Sequence, residues 1–206
     1  MNAHDRAVIR LAASWLLWYP DDRLVERLPD IATAVADTPA AAREPLQAFL
    51  AWFESTDTMQ IRREYVQTFD MKRKACPYLT YWTHGDTRNR GMAILHFKQA
   101  YLDAGFDAGD AELADHLAVV LEFAALGDQL TGDALLAEHV AAIGLLHSAL
   151  ESLESPYAYV LQAVVSTLPA VTPQIAQRMA EIATHGPPVE QVGLEPFSIE
   201  LTGART

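Results

Sequence analysis

The densest run of chemically capable side chains in this 206-residue chain is Glu112, Asp115 and His116. Two carboxylates and an imidazole on neighbouring turns of a helix would offer a donor set for a divalent transition metal. Glu181 and His185, four residues apart, form a second carboxylate–imidazole pair, and for either pair a surface helix face is the much plainer reading. The HExxH sequence is absent, as is the Glu-x-x-His spacing of di-iron bundles. There is no Walker A sequence, no GxGxxG and no CxxCH, so the usual signatures for nucleotide triphosphates, dinucleotides and covalently attached haem are missing. The one cysteine, Cys76, excludes an intramolecular disulfide and any zinc site built on paired thiolates, in keeping with a reducing compartment. Lys72, Arg73 and Lys74 precede it and would favour its thiolate; an unreactive loop thiol is the plainer alternative.

Residues suited to binding are concentrated elsewhere. Tyr78, Leu79, Tyr81 and Trp82 crowd apolar and aromatic surface into a short segment that cannot be buried on every side, so either part of it serves as anchors for a partner, Trp82 first, or two of these residues are simply core. Asp115 would then pair with an arginine of that partner while His116 orients it, or Asp115 would simply cap a helix. Arg88 and Arg90 flank Asn89 before Gly91, and internal pairing with Glu112, Asp115 or Glu122 suits them better than facing a basic partner. Gly91 inside a helix costs about 1 kcal/mol relative to alanine, which suggests close helix packing or access to a groove.

These residues must be positioned by helices. Apolar residues recur at helical intervals: Val8, Leu11, Trp15 and Trp18; then Leu24, Leu28, Ile31 and Val35; then Leu46, Phe49, Trp52 and Phe53 after the break at Thr38-Pro39. Ser55-Thr56-Asp57 supplies the cap for a segment carrying Ile61, Tyr65 and Phe69, and Gly105 is a stop for the segment of Met92, Leu95 and Leu102. From Glu112 one face carries Leu113, Leu117, Val120 and Leu121, and Thr131-Gly132-Asp133 opens a further helix that runs through His139, Ile143 and Leu146 to Leu150. Pro156 starts a helix with Tyr159 and Val160, and Ile175, Met179 and Ile182 mark the last stripe. The expectation is an all-α domain of about nine or ten helices in a single bundle over residues 1–188, with 189–206 a flexible C-terminal tail. Half the residues are hydrophobic, and 27 acidic against 15 basic residues leave a net charge of −12. That argues against nucleic acid and for a basic partner. No stretch approaches the roughly 20 apolar residues of a membrane span.

Two blocks are more particular than amphipathic periodicity. Tyr65 to Asp70 followed by Tyr78 to Gly91, continuing through Leu95, Lys98, Tyr101, Gly105 and Phe106, is the first; Asp115-His116-Leu117 with Leu121-Glu122-Phe123 is the second. Together they resemble the nitrate reductase assembly chaperones of NarJ type, within the TorD/DmsD superfamily of redox-enzyme maturation chaperones. The resemblance extends from Arg6 to Phe197, although Ala114 stands where relatives often carry proline, which relaxes the turn before Asp115.

The resemblance implies an all-helical cytoplasmic chaperone, not an enzyme, that binds the N-terminal leader-like segment of the catalytic (alpha) subunit of respiratory nitrate reductase. It would support molybdenum cofactor insertion into that client before membrane docking and hold no cofactor or metal stably itself. Molybdenum cofactor biosynthesis proteins are further expected partners; nucleic acid binding and direct membrane insertion are not expected. The chain would act as a monomer or as a helix-exchanged dimer. The residues expected to bind client peptide are Tyr78, Leu79, Trp82, Gly91, Asp115, His116, Leu117 and Glu122. Rival readings are a chaperone for another molybdoenzyme, a helical regulatory scaffold, and a metal-dependent helical enzyme using Glu112, Asp115 and His116.

Overall fold

Side-chain caps set where most of the helices begin. In the computed structural model, which describes residues 1–188, Asn2 accepts a hydrogen bond from the Asp5 amide at 2.8 Å and starts α1 (Ala3–Leu16). Asp21 does the same for α2 (Asp22–Val35), accepting from the Leu24 amide at 3.1 Å. Pro39 precedes α3 (Ala40–Ser55), and Asp57 caps α4 (Thr58–Tyr65). The last of these runs into a π-helical turn, Val66–Asp70, and then a 3-10 turn, Arg73–Ala75. The short α5 (Leu79–His84) leads to α6 (Arg88–Asp103), which stops at Ala104 with Gly105 at φ +68°; that left-handed conformation is one glycine adopts without penalty. Then follow α7 (Leu117–Leu126), α8 (Gln129–Glu138), α9 (Val140–Ser152), α10 (Tyr157–Val165) and α11 (Pro173–His185).

The central helix is α7. Its residues are buried except for Glu122 and Leu126, because α1 packs along one side and α8 along another. A second layer pairs α10 with α3 and α9, and α11 lies on the outer side of α9. Tyr157, fully buried, joins the halves of an aromatic cluster, with ring centroids 5.1 Å from Phe49 and 4.9 Å from Phe69. A second cluster surrounds Phe123, whose ring lies 4.6 Å from Tyr101 and 5.3 Å from Phe106. Such pairs contribute roughly 0.5–1.5 kcal/mol each beyond the area they bury. One charge is deeply buried: Arg10 on α1 pairs with Asp133 on α8 at 2.5 Å and donates to the Thr167 carbonyl and hydroxyl, both at 3.3 Å. Its guanidinium thereby ties together three distant parts of the chain without an unmet donor cost.

The all-α expectation holds, with eleven α-helices and no strand among the described residues. Two expectations about helix boundaries fail. The single helix expected from Thr131 to Leu150 is two, α8 and α9, bent by 65° at His139. Gly132 lies inside α8, which Asp128 caps, and it has a packing role: a Cβ there would stand 2.5 Å from the Ala124 Cα. Close approach of α8 to α7 therefore requires glycine. The helix expected from Glu112 starts only at Leu117, because residues 105–116 form an irregular connector pinned by the Tyr101 hydroxyl, which donates to the Ala114 carbonyl at 2.7 Å. The flexible tail expected over 189–206 lies outside the described residues. Among those described, no single helix is long and apolar enough to cross a membrane.

Candidate functional site

The two particular sequence blocks meet in space. Tyr78 and His116 form an isolated antiparallel bridge; the Leu79 amide donates to the Asp115 carbonyl at 3.0 Å and the Leu117 amide to the Pro77 carbonyl at 2.9 Å. The segment before α5 is thus stitched to the segment before α7, and each supplies the other's helix start. Asp115, fully buried, accepts from the Thr80 amide at 3.1 Å and the Thr80 hydroxyl at 2.5 Å through Oδ2. It therefore caps α5, a helix remote in sequence, and not its own. Its Oδ1 is buried without a protein partner. The Thr80 hydroxyl also receives Arg90 Nε at 3.3 Å, and the Arg90 guanidinium lies 5.5 Å from the Tyr78 ring centroid and 6.0 Å from that of Tyr81. A relay of polar contacts thus runs from Asp115 outward to Arg90, which pairs with Asp86 at 3.5 Å.

His116 caps α7, its Nδ1 accepting from the Ala118 amide at 3.2 Å. That bond requires a neutral ring with the proton on Nε2. Burial pushes its pKa down against the upward pull of Glu112 and Asp115, so capping and desolvation favour the same protonation state. The ring stacks on Trp18 with centroids 5.6 Å apart and meets the Tyr78 ring edge at 5.2 Å. Glu112 accepts from the Tyr78 hydroxyl at 2.7 Å and from the Leu113 amide at 3.0 Å.

The expected site residues divide by depth. Tyr78 and Glu122 are half-buried and Gly91 is exposed, whereas Leu79, Trp82, Asp115, His116 and Leu117 are buried. Trp82 is 7% exposed and donates Nε1–H to the Cys76 carbonyl at 3.0 Å, so it holds the turn before α5 rather than projecting as an anchor. Asp115 likewise faces Thr80, not solvent. Gly91 has no atom within 4 Å of where a Cβ would be, which removes the expected tight packing at that position. Arg90 pairs with Asp86, not with the expected Glu112, Asp115 or Glu122. Glu112, Asp115 and His116 turn to different partners, and no group of three His, Cys, Asp or Glu suited to a metal ion occurs among the described residues. Cys76 is opposite to the thiolate expectation: burial pushes its thiol up to about 11.

What the periodicity did not single out is a cleft beside this node. Trp15, Trp18 and Tyr19, at the end of α1 and just beyond it, face Glu122 of α7 across a cavity of about 280 Å³. The local signal was available in the Trp15–Trp18 spacing followed by Tyr19-Pro20, but it reads as a core stripe until α7 is placed against it.

Residues 35–162 match the family model described as nitrate reductase delta subunit. The chain belongs to the nitrate reductase delta subunit family. The probable nitrate reductase molybdenum cofactor assembly chaperone NarJ of Bacillus subtilis is 33% identical over 169 residues, which cover 82% of this chain and 92% of that protein. The NarJ chaperone of Escherichia coli K12 is 27% identical over 180 residues, 85% of this chain and 76% of the relative. The nitrate reductase-like protein NarX of Mycobacterium tuberculosis H37Rv is 38% identical over 160 residues, 78% of this chain but only 24% of that protein. The chain thus spans about a quarter of the mycobacterial relative and most of the two NarJ proteins. The delta-subunit match contains the whole Tyr78–Asp115 node, whereas the α1 wall of the cleft precedes it.

Proposed function

We propose that the chain is an assembly chaperone for respiratory nitrate reductase, holding the N-terminal segment of the apo catalytic subunit and supporting molybdenum cofactor insertion before membrane docking. The observation that carries this reading is the similarity to NarJ of B. subtilis over nearly that protein's whole length. The surface agrees with it. A net charge of −12 suits a basic leader-like segment, and α6 displays an apolar stripe of Met92, Leu95 and Leu102, each at least half exposed, of the kind an amphipathic helix covers.

In this reading Tyr78, Gly91 and Glu122 touch the client peptide, while Leu79, Trp82, Asp115, His116 and Leu117 keep the node rigid beneath it. The molybdenum cofactor is cargo for the client, so the chaperone holds neither cofactor nor metal of its own. It works in the cytoplasm as a monomer or helix-exchanged dimer, receives its cargo through molybdenum cofactor biosynthesis proteins, and does no catalysis. Calorimetric titration with a peptide from the N-terminus of the nitrate reductase catalytic subunit tests the reading, with a scrambled peptide of equal charge as control. Selective, saturable binding is expected; equal binding of both peptides, or none, overturns leader recognition.

A further inference from the structure

Glu122 is the anomaly of α7. It sits between Leu121 and Phe123, both fully buried, in a helix otherwise apolar from Leu117 to Leu126. Half-buried, it has no hydrogen-bond or ion-pair partner among the described residues, and burial pushes its carboxyl above the usual range. A half-buried carboxylate with no protein partner, set on an apolar face, is matched by a cation that enters beside it.

The cleft in front of it has walls to match. Trp15 and Trp18 supply two indoles one turn apart, and Tyr19, 44% exposed, forms the rim. Among the described residues the only cation lining it is Arg23, which is held outward by Asp21 at 2.9 Å with its side chain 85% exposed, so it does not satisfy Glu122. At about 280 Å³ the space lies at the small end of ligand clefts and has room for one long side chain. A guanidinium fits better than an ammonium, since its plane stacks on indole faces and its paired donors match a carboxylate.

We infer that this cleft is an arginine subsite: it takes the guanidinium of one arginine of a basic peptide, stacked against Trp15 and Trp18 and paired with Glu122. The peptide is the client segment of the proposed function, so this inference rests on that reading for its partner, though not for its chemistry. The same position explains why a carboxylate is kept on an otherwise apolar helix, where an apolar residue would pack better.

The test reads the four tryptophan indole N–H signals of the full chain by NMR during titration with acetyl-Arg-Arg-amide, using the citrulline analogue as the uncharged control. The Trp15 and Trp18 signals should move and those of Trp52 and Trp82 should not; citrulline should leave all four in place. Glu122→Gln, which preserves shape, should weaken the effect about tenfold, as expected for loss of a charge-assisted pair. Unmoved Trp15 and Trp18 signals, equal shifts with citrulline, or unchanged affinity in Glu122→Gln would overturn the assignment. Calorimetry with the client peptide separates the two readings. Dipeptide binding that depends on Glu122 without client binding leaves the cleft and removes the proposed client; client binding indifferent to Glu122, with no dipeptide shift, does the reverse.

Discussion

Single residues in this molecule have roles that their types alone do not announce. Asp115 is the example: an acidic residue before a helix reads as that helix's cap, yet it caps α5, and His116 takes over the start of α7. Trp82 is a second. Its indole is buried and donates to the Cys76 carbonyl, so Trp82→Ala should destabilise the fold by about 3–5 kcal/mol, the usual cost of removing a large buried aromatic. Urea unfolding checks this, and a loss below about 1 kcal/mol would return Trp82 to the surface. For a binding anchor the same substitution would weaken client binding and leave stability unchanged.

At the scale of the helices, glycine separates packing from mere sequence position. Gly91 and Gly132 are both helical, but a Cβ at Gly91 meets nothing within 4 Å and one at Gly132 meets the Ala124 backbone. Gly91→Ala should therefore raise stability by about 0.5–1 kcal/mol through helix propensity and a less free unfolded chain. Gly132→Ala should lower it by about 1–3 kcal/mol, because α8 must move off α7. Thermal unfolding of the two variants gives shifts of opposite sign; an unchanged or raised midpoint in Gly132→Ala would mean that the α7–α8 contact is not tight. The break at His139 belongs to this scale too. Its Nδ1 lies 2.8 Å from the Leu135 carbonyl, and its ring packs 5.1 Å from Phe97, so a residue that periodicity places mid-helix ends one helix and begins the next.

For the whole molecule, burial of two imidazoles sets a dependence on pH. His116 and His139 both have pKa values pushed below the ordinary 6.5, chiefly by desolvation. The unfolded chain therefore binds more protons than the folded one once pH drops below about 6.5. Stability should be complete above that value and decline as pH falls, so the urea midpoint should be lower at pH 5.5 than at pH 7.5. Relief of the net −12 charge acts in the other direction, but most carboxylates titrate further down, near 4. Glu122 is shifted upward by burial, so its cost appears as pH rises from about 4.3 through its folded value. A midpoint that is flat or rises toward pH 5.5 would mean that the buried imidazoles take up protons without cost to the fold.

Much of the architecture was legible without coordinates. The periods of Leu24, Leu28, Ile31 and Val35, the cap at Ser55-Thr56-Asp57, and the stop at Gly105 are local, and local patterns encode helix type and ends because their hydrogen bonds close within a few residues. The two blocks around Tyr78 and Asp115 were equally visible, and they meet. Their depth was not visible, since an apolar or charged residue on a helix carries no mark of which neighbour covers it. Trp15 and Glu122 were each readable in the chain, one as core and one as binding residue, but only the packing of α1 on α7 makes them two walls of a single cleft. Local propensity determines which faces exist; burial of those faces against partners remote in the chain decides which side chains are left to face a ligand.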